Sequence, residues 1–125
     1  MRILVTPNEM KVLEKNHFNE NEYEVRKLIF EYKYLDDVLE FAQKIVYITT
    51  PSNQTYTITD YIPKPDGDYF IIPLEALKEV GTIEIGMVLE EWYSPIRGEG
   101  ERVLVSRFSP SPVYARVHKG SYKQV

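Results

Sequence analysis

Few residues of this chain stand in patterns that could do bond chemistry, and each pattern falls short of a stated requirement. His17 and His118 are the two histidines, far apart and without an i, i+4 partner. A metal site or a general base needs convergent ligands, so both read as solvated loop residues. Carboxylates cluster at Asp36-Asp37 with Glu40, and again at Asp66 with Asp68. A calcium ion wants six to eight oxygens, and an EF-hand loop needs more spaced acids and a closing Glu. Asp66-Gly67-Asp68, following Pro63 and Pro65, reads instead as turn chemistry. Two carboxylates could hydrolyse a glycoside at the right separation, but nothing else in the chain suggests a sugar cleft.

Nucleophiles fare no better. Ser106 to Ser111 has no G-x-S-x-G context and no nearby His. Gly98-Glu99-Gly100 resembles a phosphate loop only in its glycines, and its Glu would repel phosphate. The chain has no Cys, which removes disulfides, thiolate nucleophiles and the common zinc-finger ligand sets. The expectation is a protein without catalytic residues, metal or cofactor.

Recognition remains. Trp92, Tyr93, Ile96 and Arg97 fall at a strand end and the loop after it, and Trp, Tyr and Arg are enriched at interface hot spots. Exposed aromatics would also suit a carbohydrate-binding platform. The simpler reading is that Trp92 caps the core. Tyr-rich edge strands could instead pair with another subunit.

These candidates need a scaffold. The 125 residues are enough for one domain and too few for two independent cores. A hydrophobic fraction of 43% with 13% aromatics supports a packed core. Ten Tyr against one Trp suits half-buried strand positions with one polar end. Nineteen acidic and fifteen basic residues leave a net charge of −4, which offers no electrostatic footprint for nucleic acid or an anionic membrane. No apolar run approaches the ~20 residues of a transmembrane helix. The start, Met1 to Lys11, lacks the apolar stretch of a signal peptide, so synthesis in the cytoplasm is expected.

Along the chain, Arg2 to Thr6 reads as a first strand, followed by an irregular turn or a second short strand. Tyr23 to Tyr34 alternates, with Leu28, Phe30, Tyr32 and Tyr34 on one face and Lys27, Glu31 and Lys33 on the other. Asp36 to Lys44 has helix-like spacing but is too short to stand alone. Ile45 to Thr50 and Thr55 to Tyr61 form a hairpin about Pro51-Ser52-Asn53. A turn-rich loop from Pro63 to Asp68 precedes a strand at Tyr69 to Ile72, and Pro73 begins a brief helix that Gly81 ends. Thr82 to Trp92 is a long strand. Ser94 to Glu101 is a loop, Arg102 to Phe108 is the long strand's partner, and Val113 to Val117 is a last edge strand. Seven or so short strands without a βαβ rhythm indicate an antiparallel β-sandwich, immunoglobulin-like or jelly-roll-like, with one or two helical turns. The expected domain spans residues 1–117, with 118–125 a frayed tail.

From about Arg26 to Val117 the order of features resembles the N-terminal domain of the phage baseplate upper protein family. The pattern runs from Leu28-Ile29-Phe30-Glu31-Tyr32 to a strand ending at a Thr-Pro turn, Val46-Tyr47-Ile48-Thr49-Thr50-Pro51. A polar partner follows, Tyr56-Thr57-Ile58-Thr59, then Asp68-Tyr69-Phe70-Ile71-Ile72-Pro73-Leu74-Glu75-Ala76-Leu77. Val80 to Gly86 starts the long strand, and Arg102-Val103-Leu104-Val105-Ser106 leads to the last ones. The resemblance implies a β-sandwich that anchors tail-tip proteins to the rest of a virion. It implies a non-enzymatic structural protein of the tail or baseplate that contacts other tail proteins and forms a homo-oligomer.

Overall fold

The computed structural model describes residues 1–15, 18–19, 27–35, 42–93 and 103–118. Among these residues the chain is built of strands and one 3-10 turn. The first sheet contains β1 (Arg2–Val5), β2 (Met10–Glu14), β4 (Lys27–Tyr32), β7 (Ile62–Lys64) and β8 (Gly67–Ile71), in the order β2-β1-β4-β8-β7. The second contains β3 (Phe18–Asn19), β5 (Gln43–Thr49), β6 (Thr55–Ile58), β9 (Gly81–Tyr93) and β11 (Val113–His118), in the order β3-β11-β9-β5-β6. β10 (Val103–Phe108) pairs with the C-terminal half of β9, and β11 pairs with its N-terminal half. The architecture is a sandwich of two open sheets rather than a closed barrel.

The period of two places the core. Ile3 and Val5 of β1, Leu28 and Phe30 of β4, and Phe70 of β8 are fully buried. They meet Val46 and Ile48 of β5 and Ile83, Ile85, Met87 and Leu89 of β9, also fully buried. These are alternate residues of each strand, so one face of each sheet is apolar and the two faces close on each other. Phe30 and Phe70 pack edge to face with ring centroids 5.4 Å apart, the arrangement that the ring quadrupoles favour. The turn at Leu74–Leu77 begins after Pro73, as expected, and adds Ala76 and Leu77 to the core.

Four local expectations need correction. The sandwich is antiparallel-rich but not uniformly so, because β1 pairs with β4 and β3 with β11 in parallel. A parallel pair needs a long crossover; here β2 and β3 lie in the chain between β1 and β4. The segment Ile62–Lys64, expected as loop, is a strand at the sheet edge; Pro63 has no N–H to donate, and an edge tolerates that. Tyr34 does not share the inward face. Its backbone turns into the left-handed region at φ 64°, which ends the alternation, leaves its ring 75% exposed and gives the buried position to Leu35. β11 is not a bare edge, since Val117 and His118 pair with Phe18 and Asn19.

The helix-like reading of Asp36 to Lys44 falls largely outside the described residues, although Gln43 and Lys44 already belong to β5. Residues 119–125 of the expected tail also lie outside them, and His118 is the last residue of β11.

The two flanks of the sandwich are closed differently. On one, Glu9 bridges to Ser111, with the Met10 N–H donating to the Ser111 carbonyl and the Ser111 N–H to the Asn8 carbonyl, both at 3.2 Å. On the other, β6 and β7 are the outermost strands of their sheets; the chain crosses from one to the other at residues 59–61, and side chains from both sheets meet beside this crossing.

Candidate functional site

Trp92, at the C-terminal end of β9, is 38% exposed, and its indole N–H donates to Glu90 Oε2 at 2.9 Å. Tyr93 is the last residue of that strand. Ile96 and Arg97 lie outside the described residues, as do His17, Asp36, Asp37, Glu40 and most of the loop from Ser94 to Glu101. Of the expected contact set, Trp92 and Tyr93 are therefore placed, at successive positions of one strand.

Trp92 shares the outer face of the second sheet with a feature that the sequence reading did not single out. Tyr47 of β5 pairs with Gly86 of β9, and its ring lies over the glycine so closely that a Cβ there would fall 1.9 Å from Tyr47 Cζ. Gly86 thus leaves the slot in which the ring lies, and a side chain there would displace the ring. The Tyr47 hydroxyl is held above its ordinary pKa, first by burial and then by the negative charge of Glu84. The Tyr114 hydroxyl reaches Glu84 Oε1 at 3.3 Å from β11. The outer face therefore carries Tyr114, Tyr47 and Trp92, with Glu84 and Glu90 between them and Arg107 of β10 3.8 Å from Glu90. A glycine flanked by strand residues, with a Tyr opposite, is legible only once the register is known.

The strongest polar constellation lies between the sheets on the side of β6 and β7. Lys44 of β5 and Asp68 of β8 form an ion pair at 2.5 Å, with side chains only 11% and 9% exposed. The Lys44 ammonium also sits 4.9 Å from the ring centroids of both Tyr32 and Tyr61, within cation–π range. Tyr61 in turn stacks on Phe70 at 5.0 Å. The Tyr32 hydroxyl is buried with no hydrogen-bond partner among the described residues. Burial, and next the Asp68 charge, push its pKa far up, so it stays protonated. An open cleft of about 360 Å³ adjoins this cluster, with Glu31, Lys64 and Asp66 on its rim.

Mechanically this cluster is a bolt between the two sheets. The carboxylate is paired with the ammonium, and the ammonium faces two rings, so the four side chains hold the two sheets together. A signal for it does exist in the sequence. Lys44 has the parity of buried Val46 and Ile48, and Asp68 that of buried Phe70, so both charges point inward from opposite sheets. Reading β5 from Ile45 and Asp68 as part of a turn hid both.

Asp66 and Asp68 have separate tasks. Asp66 accepts the Tyr69 hydroxyl at 2.7 Å and Arg2 Nη2 at 3.2 Å. The Tyr69 hydrogen bond, with Arg2 adding to it, holds its carboxyl below the usual range. Arg2 also reaches Glu31 at 3.5 Å and Glu14 at 3.9 Å, so one guanidinium ties β1, β2, β4 and the β7–β8 turn. Register aligns Arg2, Ile29, Tyr69 and Ile62 in a row across the outer face of the first sheet. The Tyr69 ring lies between the ammoniums of Lys27 and Lys64, at 5.1 and 4.9 Å. Among the described residues, no three His, Cys, Asp or Glu side chains stand together as a metal ligand set, and no helix is long and apolar enough to cross a membrane.

No protein-family model matches the chain, and no curated protein matches it by sequence. Among solved structures it is similar to the N-terminal domain of phage TP901-1 ORF48, with a TM-score of 0.59 and 13% identity. The likeness covers 94% of this chain and 97% of that one. At this identity the likeness is one of fold. The resemblance read from the order of strands is borne out at that level, by a phage N-terminal domain matched over nearly its whole length.

Proposed function

We propose that this protein is a non-enzymatic structural protein of a phage or prophage tail or baseplate, made in the host cytoplasm and carried in the virion. It acts by assembling with other tail proteins and with copies of itself, through area buried at strand edges and aromatic surfaces. The observation that carries the reading is the end-to-end likeness of fold to a phage domain. The surface chemistry agrees with it. Trp92, Tyr93, Ile96 and Arg97 are the residues proposed to contact partners, with Trp92 part open to solvent near the end of β9. The net charge of −4 disfavours nucleic acid or an anionic membrane as the partner.

A carbohydrate-binding platform built on Trp92 and Tyr93 is the alternative reading, favoured by the exposure of Trp92. Mass spectrometry of purified particles, together with co-purification of the tagged chain with tail proteins, tests the proposal. The chain is expected in particles at a fixed stoichiometry, and Trp92→Ala should weaken capture of tail proteins by about ten-fold or more. Particles without the chain, or glycan-array binding lost on Trp92→Ala, would sink it.

A further inference from the structure

Sheet edges invite pairing with other chains, and proteins protect them with charge, proline, shortness or cover. Most edges of this sandwich carry such a device. β7 holds Pro63 and Lys64. β2 carries Lys11 and Glu14 and is tied at its start to Ser111. β3 is two residues long, and β10 carries Arg107. β6, Thr55-Tyr56-Thr57-Ile58, has no charge, proline or glycine, and among the described residues no strand pairs with its free side.

The main chain of β6 is aimed for such a pairing. Thr50 N–H donates to the Gln54 carbonyl at 2.8 Å where the hairpin closes. Counting from that pair along the register, Tyr56 and Ile58 turn their main-chain groups toward β5. Those of Thr55 and Thr57 then face outward. The side chains are self-complementary about Thr57. Thr55 and Thr59 flank it at two positions, and Tyr56 and Ile58 at one. The threonines are exposed on the outer face, whereas Tyr56 and Ile58 are half-buried against the core.

We propose that a second copy of this chain pairs antiparallel with β6 about a two-fold axis through Thr57, joining two second sheets into one. An axis perpendicular to the sheet keeps inner faces inner. Thr57 then meets Thr57 of the other copy, Thr55 meets Thr59, and Tyr56 meets Ile58 twice. Each half-buried apolar residue thereby gains an apolar neighbour. Such self-matching is what an isologous interface requires. The inference deepens the assembly reading and rests on it for its place in a particle. A strand-to-strand contact of this length buries less than the ~1,200 Å² of stable interfaces, so the pair forms weakly and is reinforced where copies are held together.

Sedimentation velocity of the purified chain over a concentration series into the millimolar range is the test, with Thr57→Lys and Thr57→Glu beside the wild type. The wild type is expected to dimerise with concentration. Each variant, its substitution exposed to solvent, should melt like the wild type but self-associate about a hundred-fold more weakly, because like charges meet at the axis. An equimolar mixture of the two variants should recover dimer, an outcome that a merely structural role for Thr57 would not produce. A wild type that stays monomeric throughout, a Thr57→Lys dimer as strong as the wild type, or a mixture that stays monomeric would each overturn the proposal. Particle composition reads the assembly proposal separately: particles lacking the chain would overturn that reading while the purified dimer still supported this one.

Discussion

The two flanks of the sandwich solve one problem by opposite means. Where β2 meets the segment before β11, main-chain hydrogen bonds around Glu9 and Ser111 lace the sheets together. Where β6 meets β7, the chain crosses between the sheets at residues 59–61, no main-chain hydrogen bond joins the sheets among the described residues, and the Lys44–Asp68 pair with Tyr32 and Tyr61 clamps them instead. Lacing uses up backbone donors and acceptors, so the first flank offers little to another chain. Bolting with side chains leaves the backbone of β6 unspent. The flank that looks less complete within one chain is therefore the one equipped to continue into another.

Breaking the bolt should have the largest effect. Lys44→Ala leaves Asp68 buried without its cation, a loss of about 3–5 kcal/mol, measurable by urea unfolding. The double change Lys44→Met with Asp68→Leu should recover most of that loss, because a buried ion pair often exchanges evenly with apolar residues. If the double variant is as unstable as the single one, the pair is not the closing element. On the laced flank, Ser111→Pro deletes the N–H that bonds to the Asn8 carbonyl. Its expected cost is smaller, roughly 0.5–1.5 kcal/mol, with hydrogen exchange of the Met10 amide accelerated. A loss equal to that of Lys44→Ala would erase the contrast between the flanks.

The smallest effect concerns Asp66, whose carboxyl lies below its ordinary value of 3.8 because Tyr69 and then Arg2 favour its charged form. A depressed folded pKa adds stability above the unfolded value, and that stability is lost as pH falls through the folded one. Thermal melting should thus decline more steeply in the acid range for the wild type than for Asp66→Asn. Because the group is exposed, the difference is slight. Identical acid limbs would remove Asp66 from the account.

How far the fold could be read beforehand differs from strand to strand. Ile83, Ile85, Met87 and Leu89 announced both the length of β9 and its buried face, and Leu28 and Phe30 did so for β4. Pro51-Ser52-Asn53 marked the β5–β6 hairpin. Alternation and turn chemistry arise from covalent geometry within a few residues, and a single chain displays them without reference to anything distant.

Pairing partners could not. Nothing near Arg2 specifies that β1 lies parallel to β4, and nothing near Ile62 distinguishes a short edge strand from a loop with a proline in it. The task of Gly86 depends on Tyr47, which lies far from it in sequence and faces it only through the β5–β9 register. Lys44 and Asp68 are each unremarkable as surface residues of a charged chain, and they become a bolt only when two sheets bring them together. Local sequence is enough to make the strands and say which side of each is apolar. Which edges meet, which charges are buried and which strand is left open come from packing over the whole chain, because those energies belong to pairs of residues that sequence distance does not relate.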